Sequence, residues 1–190
     1  NFIKVKNINL NSNKKLKRID QVDVNLVNNN DQVSQLNIKR KKSNYSINSK
    51  IFDGAKILDR ILFSKSEGNF FDVFEKFNSK ISINFDTIYI ANEDYLTSFK
   101  ADIIINNNQI KDLILSSQFS TKEDLKFSIK TNPNNEKITD LFAGNAKPLV
   151  KKYDFIKGFE GGYLKFDTIE KNKISNSNLK IFDFKLKEVP

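Results

Sequence analysis

Phe99-Lys-Ala101-Asp-Ile103-Ile-Ile105-Asn-Asn-Asn108-Gln-Ile-Lys-Asp-Leu113-Ile-Leu115-Ser-Ser-Gln-Phe119 is the stretch that decides the fold. Apolar residues recur at alternate positions, first at Phe99, Ala101, Ile103 and Ile105, then at Leu113, Leu115 and Phe119. Successive side chains of a strand point to opposite faces, so each run predicts a strand with one apolar and one solvated face. Asn106-Asn107-Asn108 supplies the turn between them, since Asn tolerates left-handed backbone.

The same alternation extends in both directions. Leu125, Phe127 and Ile129 follow it downstream. Upstream, Ile81, Ile83 and Phe85 lead into Ile88 and Ile90 with a phase change near Asp86-Thr87. Earlier still are Ile3 with Val5, then Ile8 with Leu10 out of phase, which predicts a bulge. Val22, Val24 and Leu26, then Val33, Leu36 and Ile38, then Tyr45, Ile47 and Ile51 complete the N-terminal runs over residues 1–52.

Two segments read as helices. Asp53 is a cap before Ala55, Ile57, Leu58, Ile61 and Leu62, giving a helix near 54–63. Asn145 is a cap before Pro148, Leu149, Val150 and Tyr153, giving a helix near 146–153. Gly161-Gly162 then reads as a turn into the alternating Tyr163–Thr168. The fold class is therefore mainly β: a curved antiparallel sheet or β-groove segment with two short helices. Two helices are too few to cover such a sheet, so its Phe- and Ile-rich face must meet another sheet, a partner or an apolar ligand.

Composition narrows the chemistry. The 190 residues contain no His, Cys, Met or Trp. A Ser-His-Asp triad, a thiolate nucleophile and imidazole or thiolate metal sites are thus excluded, and no cofactor motif is present. The net charge of +9 comes from 29 Lys but only 3 Arg, and Arg is the side chain suited to bidentate readout of phosphate and guanine. No specific nucleic-acid partner is expected. The densest basic run, Lys39-Arg40-Lys41-Lys42, stands where no acid occurs between Gln32 and Phe52, and is the candidate for anionic headgroups. Gly158-Phe-Glu-Gly161-Gly162 is no phosphate loop, because a strand follows it and Glu160 would repel an anion.

Residues 139–190 resemble the C-terminal region of AsmA-like proteins of the YhdP type. The resemblance rests on Asn145-Ala146, Leu149-Val150, Tyr153-Asp154, Gly161-Gly162, Leu164 and the closing Leu179-Lys-Ile181-Phe-Asp183-Phe184…Val189-Pro190. Lys157-Gly158-Phe159-Glu160 departs from the family, which often has Arg before the glycines, and Pro148 is unusual for it. The resemblance implies a non-enzymatic segment of a longer repetitive β-groove protein in the periplasm, anchored to the bacterial inner membrane through a part not present in this sequence. Its implied partners are phospholipid and adjoining segments of the same chain. It also implies that Asn145, Asp154, Gly161 and Gly162 are architectural.

Under that reading the apolar parity of the central strands (79–131) contacts acyl chains: Phe99, Ile103, Ile105, Leu113, Leu115, Phe119, Leu125, Phe127 and Ile129. These share a side only if the strand register aligns them. A charge at Ile103 or Phe127 is expected to block passage, whereas Asn107→Lys, taken as an opposite-face change, is expected to be tolerated. The competing readings are an envelope scaffold that uses the same sheet to bind protein, and a basic domain that binds nucleic acid or polysaccharide.

Overall fold

The computed structural model describes residues 1–27, 33–55, 73–91, 93–152, 156–172 and 174–187. Its elements in chain order are β1 (Phe2–Lys6), β2 (Asn9–Leu10), β3 (Leu16–Arg18), β4 (Gln21–Val27), β5 (Val33–Lys41), β6 (Asn44–Asp53), β7 (Ser79–Tyr89), β8 (Tyr95–Asn106), β9 (Gln109–Phe119), β10 (Asp124–Thr131), β11 (Lys137–Ala143), α1 (Lys147–Lys152), β12 (Phe159–Lys171) and β13 (Ile174–Leu186). Eleven strands form one curved, unclosed sheet in the order β1-β4-β5-β6-β7-β8-β9-β10-β11-β12-β13. The fold is mainly β, as the alternation predicts.

Most neighbours pair antiparallel through short turns. At β8–β9 both Asn107 (φ 48°) and Asn108 (φ 64°) are left-handed, the backbone that a two-residue hairpin needs to match strand twist. Two departures from simple meandering shape the N-terminal half. The β2–β3 hairpin loops out, so β1 pairs with β4; Leu10 belongs to this separate small sheet, whose register shifts between Asn9 and Leu10, where the out-of-phase Ile8 and Leu10 predict a bulge. β6 and β7 run parallel, with Tyr45 opposite Ile81 and Ile47 opposite Ile83. Parallel neighbours need a crossover of a dozen or more residues, and residues 54–78 provide its length.

One helix, α1, occurs among the described residues. Asn145 Oδ1 accepts a hydrogen bond from the Lys147 N–H at 3.2 Å, satisfying one of the free donors of the first turn. The helix expected near 54–63 falls almost wholly outside the described residues. Only its start is seen, where the Ala55 N–H donates to Asp53 Oδ1 at 3.2 Å.

Gly161-Gly162 is not a turn before a strand, as the sequence suggests, but an irregularity inside β12. Both glycines have positive φ, as does Asp183 across the ladder, and the pairing skips from Gly161–Phe184 to Tyr163–Phe182. A Cβ on Gly162 would lie 2.6 Å from the Phe182 carbonyl oxygen, so only glycine fits. The Gly162 carbonyl in turn accepts the Ala146 N–H at 2.8 Å, tying the start of α1 to the sheet.

The phase change read at Asp86-Thr87 is real. The buried side chain moves from Phe85 to Ile88, and opposite it Ser98 takes φ 52° between the buried Leu96 and Phe99. Buried residues gather at the two ends of one sheet face. At one end Ala146 and Val150, at the start and in the middle of α1, join Ala143, Leu164, Phe99 and Phe119 in one buried cluster. At the other, Phe74 and Phe77 pack with Tyr45, Ile81 and Ile105, the Phe77 ring centroid 5.6 Å from Tyr45. No helix among the described residues is long and apolar enough to cross a membrane.

Candidate functional site: an apolar strip across the sheet

The ladder registers connect one residue of every strand into a single row. From edge to edge it reads Val5, Val22, Ile38, Ile47, Ile83, Ala101, Leu115, Phe127, Leu141, Phe166 and Leu179. All eleven are apolar. Directly opposed residues project to the same side, so the row is one strip running across the strands. At ~4.8 Å between strands its length is roughly 48 Å.

The row adjoining it in register on the other face is polar almost throughout: Lys4, Asp23, Asn37, Asn48, Asn84, Lys100, Ser116, Lys126, Phe142, Lys165 and Lys180. A shallow cavity of ≈ 410 Å³ opens near the β4–β5–β6 end of this polar side, lined by Asp23, Asn25, Asn37, Asn48 and Asn84 among others. The strip itself is an open surface and not an enclosed pocket.

Along the strip only Ala101 is buried, and the other ten residues are half-exposed or exposed. Val150 of α1 and the nearby Ala143 and Ala146 are 0% exposed, whereas Leu115, Phe127, Leu141 and Phe166 stay half-buried. Lys152 holds the far end of α1 down, donating from Nζ to the Ile90 carbonyl at 2.6 Å. The opposite margin is walled by residues 73–77, which β3 holds through Leu16 N–H to Val73 O at 2.9 Å and Glu75 N–H to Leu16 O at 3.0 Å.

The register brings the predicted acyl-contact residues to this one face but divides them by exposure. Ile103, Leu113 and Ile129 form a second aligned row beside the strip, and Leu115 and Phe127 belong to the strip; all five are half-exposed. Phe99, Ile105, Phe119 and Leu125 are core residues, 7%, 2%, 2% and 8% exposed, packed under the margins. Asn107 does not stand on the opposite face; it lies in the β8–β9 turn, its N–H donating to Asn78 Oδ1.

The basic run does not form one cluster. Lys39 and Lys41 share one parity of β5, Arg40 the other, and Lys42 is in the turn with φ 59°. Arg40 faces Tyr45 and Ile81 on the apolar side. Asn145 caps α1 and Gly161 and Gly162 bend β12, while Asp154 lies outside the described residues. The side chains that sequence reading missed are Phe74, Phe77 and Val150 as walls, and the Arg18–Asp20–Arg40 group. Dense Phe spacing at 70–77 was the available signal for the first two.

Among the described residues three carboxylates titrate below their usual range, each beside a lysine and all at the exposed surface. Lys126 hydrogen-bonds Asp124, Lys171 hydrogen-bonds Glu136, and Lys187 hydrogen-bonds Glu160, favouring the charged form in each case. Together with the fold they describe a solvated exterior around an apolar strip. No family model, curated protein or solved structure matches the chain.

Proposed function

We propose that the chain is a non-enzymatic groove segment of an AsmA-like, YhdP-type protein, and that its apolar strip guides phospholipid acyl chains between the inner and outer membranes. In this reading the segment is periplasmic, anchored through another part of a longer chain and flanked by adjoining groove segments. The observation that carries it is the unbroken apolar row across eleven strands, ten of whose residues are half-exposed or exposed, with Ala101 buried among them. A soluble surface rarely leaves so long a connected apolar patch without a ligand or partner. Covering each half-exposed side chain with hydrocarbon returns on the order of 1 kcal/mol. The strip is also longer than one bilayer leaflet, roughly 15 Å of hydrocarbon. An acyl chain laid along it therefore has room to move from one set of contacts to the next without leaving the surface.

Transfer of a fluorescent phospholipid between vesicles tests the proposal. Ile103→Lys and Phe127→Asp put a charge in the path and are expected to reduce transfer at least several-fold. Ile114→Lys, on the other face of β9 and already 58% exposed, is expected to leave it unchanged. Normal transfer by folded Ile103→Lys and Phe127→Asp proteins would favour the scaffold reading instead.

A further inference from the structure

Arg18 and Arg40 reach one carboxylate from two separate elements. Asp20 Oδ1 lies 3.1 Å from Arg18 Nε and 3.5 Å from Arg40 Nη1. The other oxygen, Oδ2, accepts from Asn7 Nδ2 at 3.2 Å. The Arg40 N–H also donates to the Asp20 backbone carbonyl at 2.8 Å, fixing the base of both side chains. Arg18 comes from β3, whose Leu16 is hydrogen-bonded to the wall segment at 73–75, so its approach is set by the wall and not by β5.

Charge and position make this group unusual on its face. Two guanidiniums share one carboxylate, leaving a net charge of +1. Each carries five N–H donors in a planar fork suited to a tetrahedral oxyanion, and a single carboxylate cannot engage them all. Arg40 is the charged member of the row Arg40, Tyr45, Ile81, Ile103, Leu113 and Ile129, whose other members are uncharged. It thus stands at the rim of the apolar face, two residues along β5 from Ile38 of the strip. Lys42, in the adjoining turn, adds positive charge nearby, whereas Lys39 and Lys41 project to the opposite face.

We propose that Arg18 and Arg40, held apart and oriented by Asp20, form a phosphate-binding site beside the apolar strip. The ligand chemistry is a phosphate or phosphate-ester anion. Its two sources are a lipid headgroup, whose chains then lie on the strip, and free phosphate. The headgroup source rests on the groove reading; the anion chemistry does not.

Binding to the full chain, followed by NMR of backbone amides around Tyr45, tests this with three probes: inorganic phosphate, dihexanoyl phosphatidylglycerol and phosphate-free dihexanoylglycerol. Arg40→Gln and Arg18→Gln are each expected to weaken phosphatidylglycerol binding about tenfold while leaving dihexanoylglycerol unchanged. Arg40→Lys is expected to recover only part, because it restores charge without the fork. Asp20→Asn removes the competing carboxylate and is expected to tighten phosphate-ester binding several-fold. Inorganic phosphate binding with the same Arg dependence identifies a free-anion site; Arg-dependent binding of the lipid alone identifies the headgroup. Ile103→Asp separates the two readings. If it abolishes binding of both lipids while the Arg dependence of phosphate persists, groove and site both stand. If it changes nothing while the Arg variants lose their anion, the groove fails and the site remains. Folded Arg variants with unchanged affinity for every probe, together with no tightening in Asp20→Asn, would reduce the group to a staple between hairpin and sheet and overturn the proposal.

Discussion

Ala143 and Leu164 face each other across β11 and β12, and so do Leu141 and Phe166 one pleat further along the same face. The first pair is 0% and 3% exposed; the second remains half-buried. Local sequence does not separate them, since all four are apolar residues of matching parity. What differs is membership of the buried cluster: the first pair belongs to it together with Ala146 and Val150 at α1, and the second packs only against its edge. Alternation therefore specifies which face is apolar, and a separate short element decides how much of that face becomes core. On this sheet the walls at both margins take their share and leave the strip between them.

The comparison is sharpened most by substitution on one strand. Phe119 and Leu115 both belong to β9, the first beneath the helix-covered end and the second on the strip. Phe119→Ala is expected to cost about 3–5 kcal/mol, the range for an aromatic deleted from a closed core. Leu115→Ala removes a side chain that is already part-solvated, and about 1 kcal/mol is expected. Urea unfolding of both variants measures the gap. Equal losses would mean that the strip is core, no different from the closed end.

A smaller effect tests how the covered end is held. Glu160 of β12 receives Lys187 Nζ at 2.6 Å and Lys147 Nζ of α1 at 3.7 Å. The Lys187 hydrogen bond is the main reason that its carboxyl titrates below the usual range, with burial opposing and Lys147 adding. A folded-state pKa below the unfolded value gives stabilisation that is present above the unfolded pKa and is lost as pH falls through the folded one. Wild type should therefore lose a small increment of thermal stability below about pH 4 that Glu160→Gln lacks. Salt should shrink the difference, because the pair is at the surface. Melts of the two proteins across acid pH at low and high salt measure it, and identical acid profiles would show that the pair does not help seat α1.

How far the sequence foretold this follows from where each feature is encoded. Strand periodicity is local, so the runs around Ile81–Phe85, Phe99–Ile105, Leu113–Phe119 and Leu125–Ile129 were legible, as were the Asn107-Asn108 turn and the Asn145 cap. Register is not local. That Ala101, Leu115 and Phe127 align depends on where each hairpin closes and on the irregularities at Ser98 and near Ile105. The parallel β6–β7 pair was likewise hidden, because direction is set by a long connection and not by either strand. Covering was the least legible. Nothing in Phe119 marks it as core while Leu115 stays open, since the difference comes from residues some thirty positions later. The basic run misled for a related reason: adjacency in sequence places Lys39 and Arg40 on opposite faces of a strand, while Arg18, distant in sequence, meets Arg40 at Asp20.

The most direct measurement uses two neighbours on β9. Ile114 is 58% exposed on the polar face, and Leu115 is half-buried on the strip. A photoreactive amino acid is introduced at each position in turn, and the chain is irradiated with phospholipid present. If lipid contact followed exposure alone, position 114 would give the stronger adduct. The account predicts the reverse, with phospholipid adducts at 115 and none above background at 114. Adducts at 114 equal to or exceeding those at 115, or protein-only adducts at 115, would contradict it.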